Sequence, residues 1–190
     1  MRRRSGNPHF EHAGQEFRIN NNQNLGCYLE VLESLNEQLN NFLSHHSRLL
    51  FLRQDVRVYQ YSKDNKLMSD FMRSLKRNLK RYFGITRIGY LWVRELSKAD
   101  KQHYHLILLL DGNKVQHPAN VIRIAEETAY KCEIPKPYTP EKPYLKISRN
   151  DSESFGKAIY RGSYMAKTRS KQCGKRIRSM GASNIRPRGN

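Results

Sequence analysis

The chain has 190 residues, enough for one domain with modest appendages and a core of its own. Thirty-five Lys and Arg face 17 Asp and Glu, a net charge of +18. Such a surface attracts polyanions and releases their counterions, so nucleic acid is the first partner class to consider. Recurrent apolar periodicity argues against a disordered chain, and no run approaches the ~20 apolar residues of a membrane span. The three cysteines, Cys27, Cys132 and Cys173, are scattered and form no CxxC pair, which argues against a disulfide framework or zinc knuckle. With no apolar stretch after Met1-Arg2-Arg3-Arg4, the expectation is a cytoplasmic protein without a membrane partner.

Residues 1–22 are polar and basic and read as a flexible basic arm. The domain is expected over 23–168, with a basic C-terminal tail over 169–190. Leu25, Leu29, Leu32, Leu35, Leu39 and Leu43 recur every three or four residues, which predicts an amphipathic helix over 25–44 that covers a sheet. Residues 49–61, LLFLRQDVRVYQY, read as a strand. Ser69 or Asp70 is placed to cap a helix that Gly84 stops after Phe83. One face of this helix is apolar. The other carries Arg73, Lys76, Arg77, Lys80 and Arg81, which suits either a solvated face or contact with phosphates.

Residues 87–96 and 103–110 read as two strands joined by a hairpin-length connection. Pro118 opens a helix over 119–131, and Pro135, Pro137, Pro140 and Pro143 mark a stiff loop. Tyr144–Ser148 reads as a short strand, and Asp151 or Ser152 caps a last helix through about Lys167. The order predicts an α+β fold with a central antiparallel sheet flanked by helices.

Three pieces carry candidate chemistry. In His103-Tyr104-His105 the two imidazoles point to one face of a strand, where they can share a metal ion. Glu95, on the preceding hairpin strand, falls nearly opposite His103 and supplies a third ligand. Two His and one carboxylate suit Mg²⁺ or Mn²⁺ with positions left open. In Tyr160-Arg-Gly-Ser-Tyr164-Met-Ala-Lys167 the helical spacing puts Tyr160, Tyr164 and Lys167 on one face, with Lys157 extending it. Gly162, between the tyrosines, is a point where the helix bends or frays. Each piece alone has a plainer reading: two surface histidines, an ion pair of Glu95 with Arg94 or a lysine, and tyrosines packed on a sheet.

Together, in this order, the pieces resemble the HUH endonuclease superfamily of rolling-circle replication initiators, relaxases and some transposases. The Y-x-x-x-Y-x-x-K stretch is similar to the two-tyrosine initiators of single-stranded DNA phages. From LLFLRQDVRVY through YLWVREL, HYHLILLLDG and YRGSYMAK the chain is most similar to the inovirus-type gene-two replication proteins of prophages and satellites, over about residues 45–180. The superfamily's short first-strand motif has no match beyond residues 51–59.

The resemblance implies a ferredoxin/RRM-like core and a metal-dependent nickase acting on single-stranded or origin DNA. In that reading His103, His105 and Glu95 hold the metal, Tyr164 is the nucleophile, Tyr160 the alternate tyrosine, and Lys167 assists. Arg73, Arg77, Lys80, Arg81, Lys157 and Arg161 would hold DNA. The 3′-hydroxyl released by a 5′-phosphotyrosine link would prime a polymerase. No G-x-x-x-x-G-K-[ST] loop is present, so a host helicase would unwind. The rival expectation is a non-catalytic RNA binder or repressor with Tyr90, Trp92 and Tyr104 stacking on bases. A relaxase or transposase would share the chemistry and differ in target.

Overall fold

Helical and strand periodicities alternate along the chain, and each becomes an element of a three-layer α+β fold. The computed structural model describes residues 3–21, 26–96, 102–168 and 178–189. Two short antiparallel ladders come first. β1 (Arg4–Ser5) pairs with β4 (Cys27–Tyr28), and β2 (His9–His12) pairs with β3 (Gln15–Arg18). There follow α1 (Leu29–His45), β5 (Arg48–Arg57), α2 (Lys66–Phe83), β6 (Gly89–Leu96), β7 (Gln102–Asp111), α3 (Ala119–Lys131), β8 (Tyr144–Ser148), α4 (Ser152–Gly162), a 3₁₀ turn (Ser163–Ala166) and β9 (Met180–Ala182). The last five strands form one antiparallel sheet in the order β8-β5-β7-β6-β9.

Alternation along β7 assigns its residues to two cores. Ile107 and Leu109 join Leu32, Leu35, Leu39 and Phe42 of α1 and Ile159 of α4 on one face. Tyr104, Leu106, Leu108 and Leu110 join Phe71, Leu75 and Leu79 of α2 and Ala125 of α3 on the other. By the same period, His103 and His105 share the face covered by α1 and α4. Full burial of one such Leu or Phe side chain contributes about 1.5–3 kcal/mol.

Helix boundaries have local causes. α2 starts a turn earlier than expected because Asp64 Oδ1 accepts the backbone N–H of Lys66 at 2.9 Å. It ends at Gly84, which takes the left-handed φ of 60° that a side chain disfavours. Asp151 caps α4 by accepting from the backbone N–H groups of Glu153 and Ser154.

Both chain ends differ from expectation. The segment expected to be a flexible arm is folded, because Phe10 and Ile19 are buried at 4% and 2% exposure in the α1/α4 core. Leu25 lies outside the described residues, as do residues 97–101 of the hairpin connection and 169–177 of the expected tail. Past 177 the tail returns to the sheet: Met180–Ala182 pairs with β6, and Ser183 receives a hydrogen bond from Gln38 of α1. Among the described residues no helix is long and apolar enough to cross a membrane.

Candidate functional site

The hairpin of β6 and β7 sets Glu95 directly opposite His103, as the loop length predicts. Both imidazoles turn to that carboxylate: His103 Nε2 lies 2.7 Å and His105 Nε2 2.9 Å from Glu95 Oε2. His105 is 4% exposed and Glu95 8%, while His103 stays partly open to solvent. One ligand atom from each residue lies within 4.8 Å of the others, so Glu95, His103 and His105 could hold a metal ion. Ligand atoms about 2.1 Å from a cation sit about 3 Å apart when adjacent around it, close to the spacings seen here. The donor set therefore fits a divalent cation.

A fourth residue completes the cluster, and sequence reasoning missed it. Asp55 of β5 stands opposite His105 in the ladder, and His105 Nδ1–H donates to Asp55 Oδ1 at 2.7 Å. This bond fixes the ring so that Nε2 faces Glu95. The available signal was the alternation of Leu49, Phe51, Arg53, Asp55 and Arg57, three charges ending a strand face that starts apolar.

Charge in the cluster is mutually adjusted. Burial works to lower the pKa of His105, but Asp55 and Glu95, each bonded to one ring nitrogen, outweigh it and hold the imidazolium above the ordinary 6.5. Burial likewise works to raise Asp55, but the His105 hydrogen bond and the charges of His105 and Arg53 win and keep it below 3.8.

The two tyrosines are handled differently. The expected helix through Lys167 stops at Gly162, and Tyr164 sits on the 3₁₀ turn that follows. Two local contacts accompany the change. A Cβ on Gly162 would lie 2.5 Å from Leu35 Cδ2, so only glycine lets α4 approach α1 this closely. Ser163 Oγ–H then donates to the Tyr160 carbonyl at 2.7 Å and draws the turn tight. Tyr164, 39% exposed, meets His105 edge-on with ring centroids 5.5 Å apart. The Arg53 guanidinium lies 4.2 Å and Lys167 Nζ 5.0 Å from the centre of its ring. The ring of Tyr160 instead meets Arg18 at 5.9 Å, farther along the same groove.

The expected DNA contacts divide by face. Lys157 and Arg161 line the groove that contains Tyr160 and Tyr164. Arg73, Arg77, Lys80 and Arg81 bound a separate shallow depression on the outer side of α2, whose inner side packs on the opposite sheet face. The structure does not bring these four to the histidine cluster. Of the rival's stacking residues, Trp92 is 6% and Tyr104 1% exposed beneath α2 and α3, while Tyr90 is partly exposed.

An antiparallel sheet with helices on both faces, carrying paired imidazoles and a carboxylate on adjacent strands, defines an α+β protein with a candidate metal centre. Comparison places it more closely. The chain belongs to the YagK/YfjJ C-terminal domain family, whose model matches residues 15–183. It is similar to the uncharacterized protein YfjJ of Escherichia coli (strain K12), with 28% identity over 183 aligned positions covering 80% of this chain and 88% of that protein. No solved structure matches.

Proposed function

We propose that this protein is a metal-dependent, single-strand DNA nickase and strand transferase that initiates rolling-circle replication through a 5′-phosphotyrosine intermediate. The observation that carries the reading is the edge-on contact of an accessible phenol, Tyr164, with a ligand of the candidate metal centre, His105.

In this reading Glu95, His103 and His105 hold Mg²⁺ or Mn²⁺, which when bound polarises the scissile phosphate and offsets its charge. Tyr164 Oη forms a bond to phosphorus as the bond from phosphorus to the 3′-oxygen breaks. The phenolic proton leaves to solvent, and the departing 3′-oxygen takes one up to become a free hydroxyl. A phenol is a weak nucleophile, with an ordinary pKa near 10. Arg53 and Lys167 place two positive charges against the Tyr164 ring, where a phosphate drawn up to it gains from them. Asp55 holds His105 in the tautomer that presents Nε2. The tyrosyl ester conserves the phosphodiester's energy, so reversal reseals a strand without ATP. Relaxases and transposases would use the same groups on other DNA targets.

Labelled single-stranded DNA containing an origin, incubated with Mn²⁺ and run on a denaturing gel, tests this. Wild type should form a covalent adduct, chelator should abolish it, and Tyr164→Phe should lower it at least a hundredfold with Mn²⁺ affinity unchanged. An adduct that survives Tyr164→Phe but is lost in Tyr160→Phe would transfer the nucleophile to Tyr160. With no adduct from wild type on any origin strand, the nickase reading falls.

A further inference from the structure

A groove of about 1390 Å³ runs from Tyr164 past Tyr160 between the β2–β3 hairpin, the end of α1 and α4. It is larger than the ~300–1,000 Å³ of ordinary small-molecule sites. Among the described residues Arg18, Arg53, Arg149, Lys157 and Arg161 line it against Glu16 and Asp151; Asp151 is committed to capping α4, and Lys157 is paired with Glu153. Arg161 is half-buried, donates to the Lys142 and Tyr144 carbonyls, and has its pKa lowered by burial together with the Arg53 charge. Arg53 Nε is buried without a hydrogen-bond partner among the described residues. Phe17 and Phe155 pack ring to ring at 5.5 Å in the wall, and Tyr160 and Tyr164 present further rings.

The hairpin that forms this wall is tied to the tyrosine turn. The backbone N–H of Asn20, just past β3, donates to Ser163 Oγ at 2.8 Å, and Ser163 is wholly buried between the two tyrosines. Gln15, Glu16 and Arg18 of the hairpin line the groove and are exposed.

We propose that the β2–β3 hairpin is the strand-positioning wall of a single-strand nucleic-acid groove, with Arg18 as its phosphate contact, delivering the strand to Tyr164. The inference rests on the nickase reading for what happens at Tyr164 but not for the binding itself. Charge excess selects a polyanion. Aromatic rings in the wall select unpaired bases, whose faces are free to stack, over a duplex, whose bases are not.

The test uses the full chain and a fluorescein-labelled oligodeoxythymidine in excess chelator, so that binding is read by anisotropy without cleavage. Arg18→Glu should weaken binding about fivefold or more and make the salt dependence shallower, with the melting temperature and Mn²⁺ affinity unchanged. Arg73→Glu, on the far side of the sheet, is the comparator and should change binding less. Binding by Arg18→Glu within twofold of wild type overturns the proposal, as does a larger loss from Arg73→Glu than from Arg18→Glu. A second arm takes the origin-containing strand at subsaturating concentration, with Mn²⁺ in place of chelator, and reads the covalent adduct. Loss of oligonucleotide binding in Arg18→Glu with no adduct from wild type sinks the nickase reading and leaves the groove standing. Equal adduct from Arg18→Glu and wild type sinks the groove and leaves the nickase standing.

Discussion

Replacing Asp55 by Asn removes one negative charge at nearly constant volume and tests whether the histidine cluster is a built metal site. The wild-type bond is short, 2.7 Å, and its donor His105 is almost fully buried, so it belongs among the stronger charge-assisted hydrogen bonds. The Asn side chain has two orientations, and both harm the site. With its oxygen toward His105 Nδ1, its amide N–H groups face the Arg53 guanidinium, which now approaches Asp55 Oδ2 at 3.5 Å. With its nitrogen toward Nδ1, it demands a bare Nδ1 and so moves the proton to Nε2, the atom that faces Glu95. Losing such an outer carboxylate typically weakens metal binding ten- to a hundredfold, or about 1.4–2.7 kcal/mol. Isothermal titration of the metal-free variant with Mn²⁺ reads this directly, with circular dichroism to show that the fold is intact. A folded Asp55→Asn protein that binds Mn²⁺ within twofold of wild type would refute the assignment of Asp55, and an equally unaffected His105→Asn would refute the metal centre.

Two further outcomes follow from the same geometry. Because His105 is held above 6.5 in the metal-free protein, its contribution to stability is fully present below pH 6.5 and is lost as pH rises through the elevated value. The melting temperature of metal-free wild type, taken relative to His105→Gln, should therefore fall across that rise. Added Mn²⁺, which competes with the proton, should stabilise more at the alkaline end. Scanning calorimetry across this range checks the sign, and a flat difference would count against the coupling. Gly162→Ala should cost about 1–3 kcal/mol, because its Cβ meets the fully buried Leu35 at 2.5 Å with little room for that side chain to yield. An unchanged urea midpoint for Gly162→Ala would show that α1 and α4 pack less tightly than described.

Much of the scaffold was legible in local pattern. Pro118 and the apolar spacing after it set α3 at Ala119–Lys131, and the proline-rich loop isolates β8 at Tyr144–Ser148. The hairpin length gave the pairing of Glu95 with His103, because strand register depends on few residues there. What escaped is nonlocal. Asp55 meets His105 only through the pairing of β5 with β7, fifty residues apart in sequence. The helix around Tyr160 gives way at Gly162, the point the sequence marked, but the closeness of Leu35 there is one that helical spacing does not reveal. The basic stripe of α2 was visible as a stripe, but which side of the sheet it would face depends on topology. The opening residues misled because Phe10 and Ile19 are isolated among polar neighbours and become core only once α1 and α4 are in place.

The two small ladders at the start of the chain bear on how the domain is to be handled. Family similarity begins at residue 15, the first residue of β3, just past the turn that joins it to β2. An excision made there would discard β1 and β2 and keep β3 and β4, leaving two strands with naked backbone edges and no mates. The bared β4 is also the strand that meets the loop bearing Tyr164, where Thr168 N–H bonds to the Gly26 carbonyl and Cys27 bridges Lys167, so that seam would stand without its β1 backing. Expression boundaries are better set ahead of Arg3, where its guanidinium clasps Glu33 at 2.5 Å and its carbonyl receives Leu29 N–H at the head of α1.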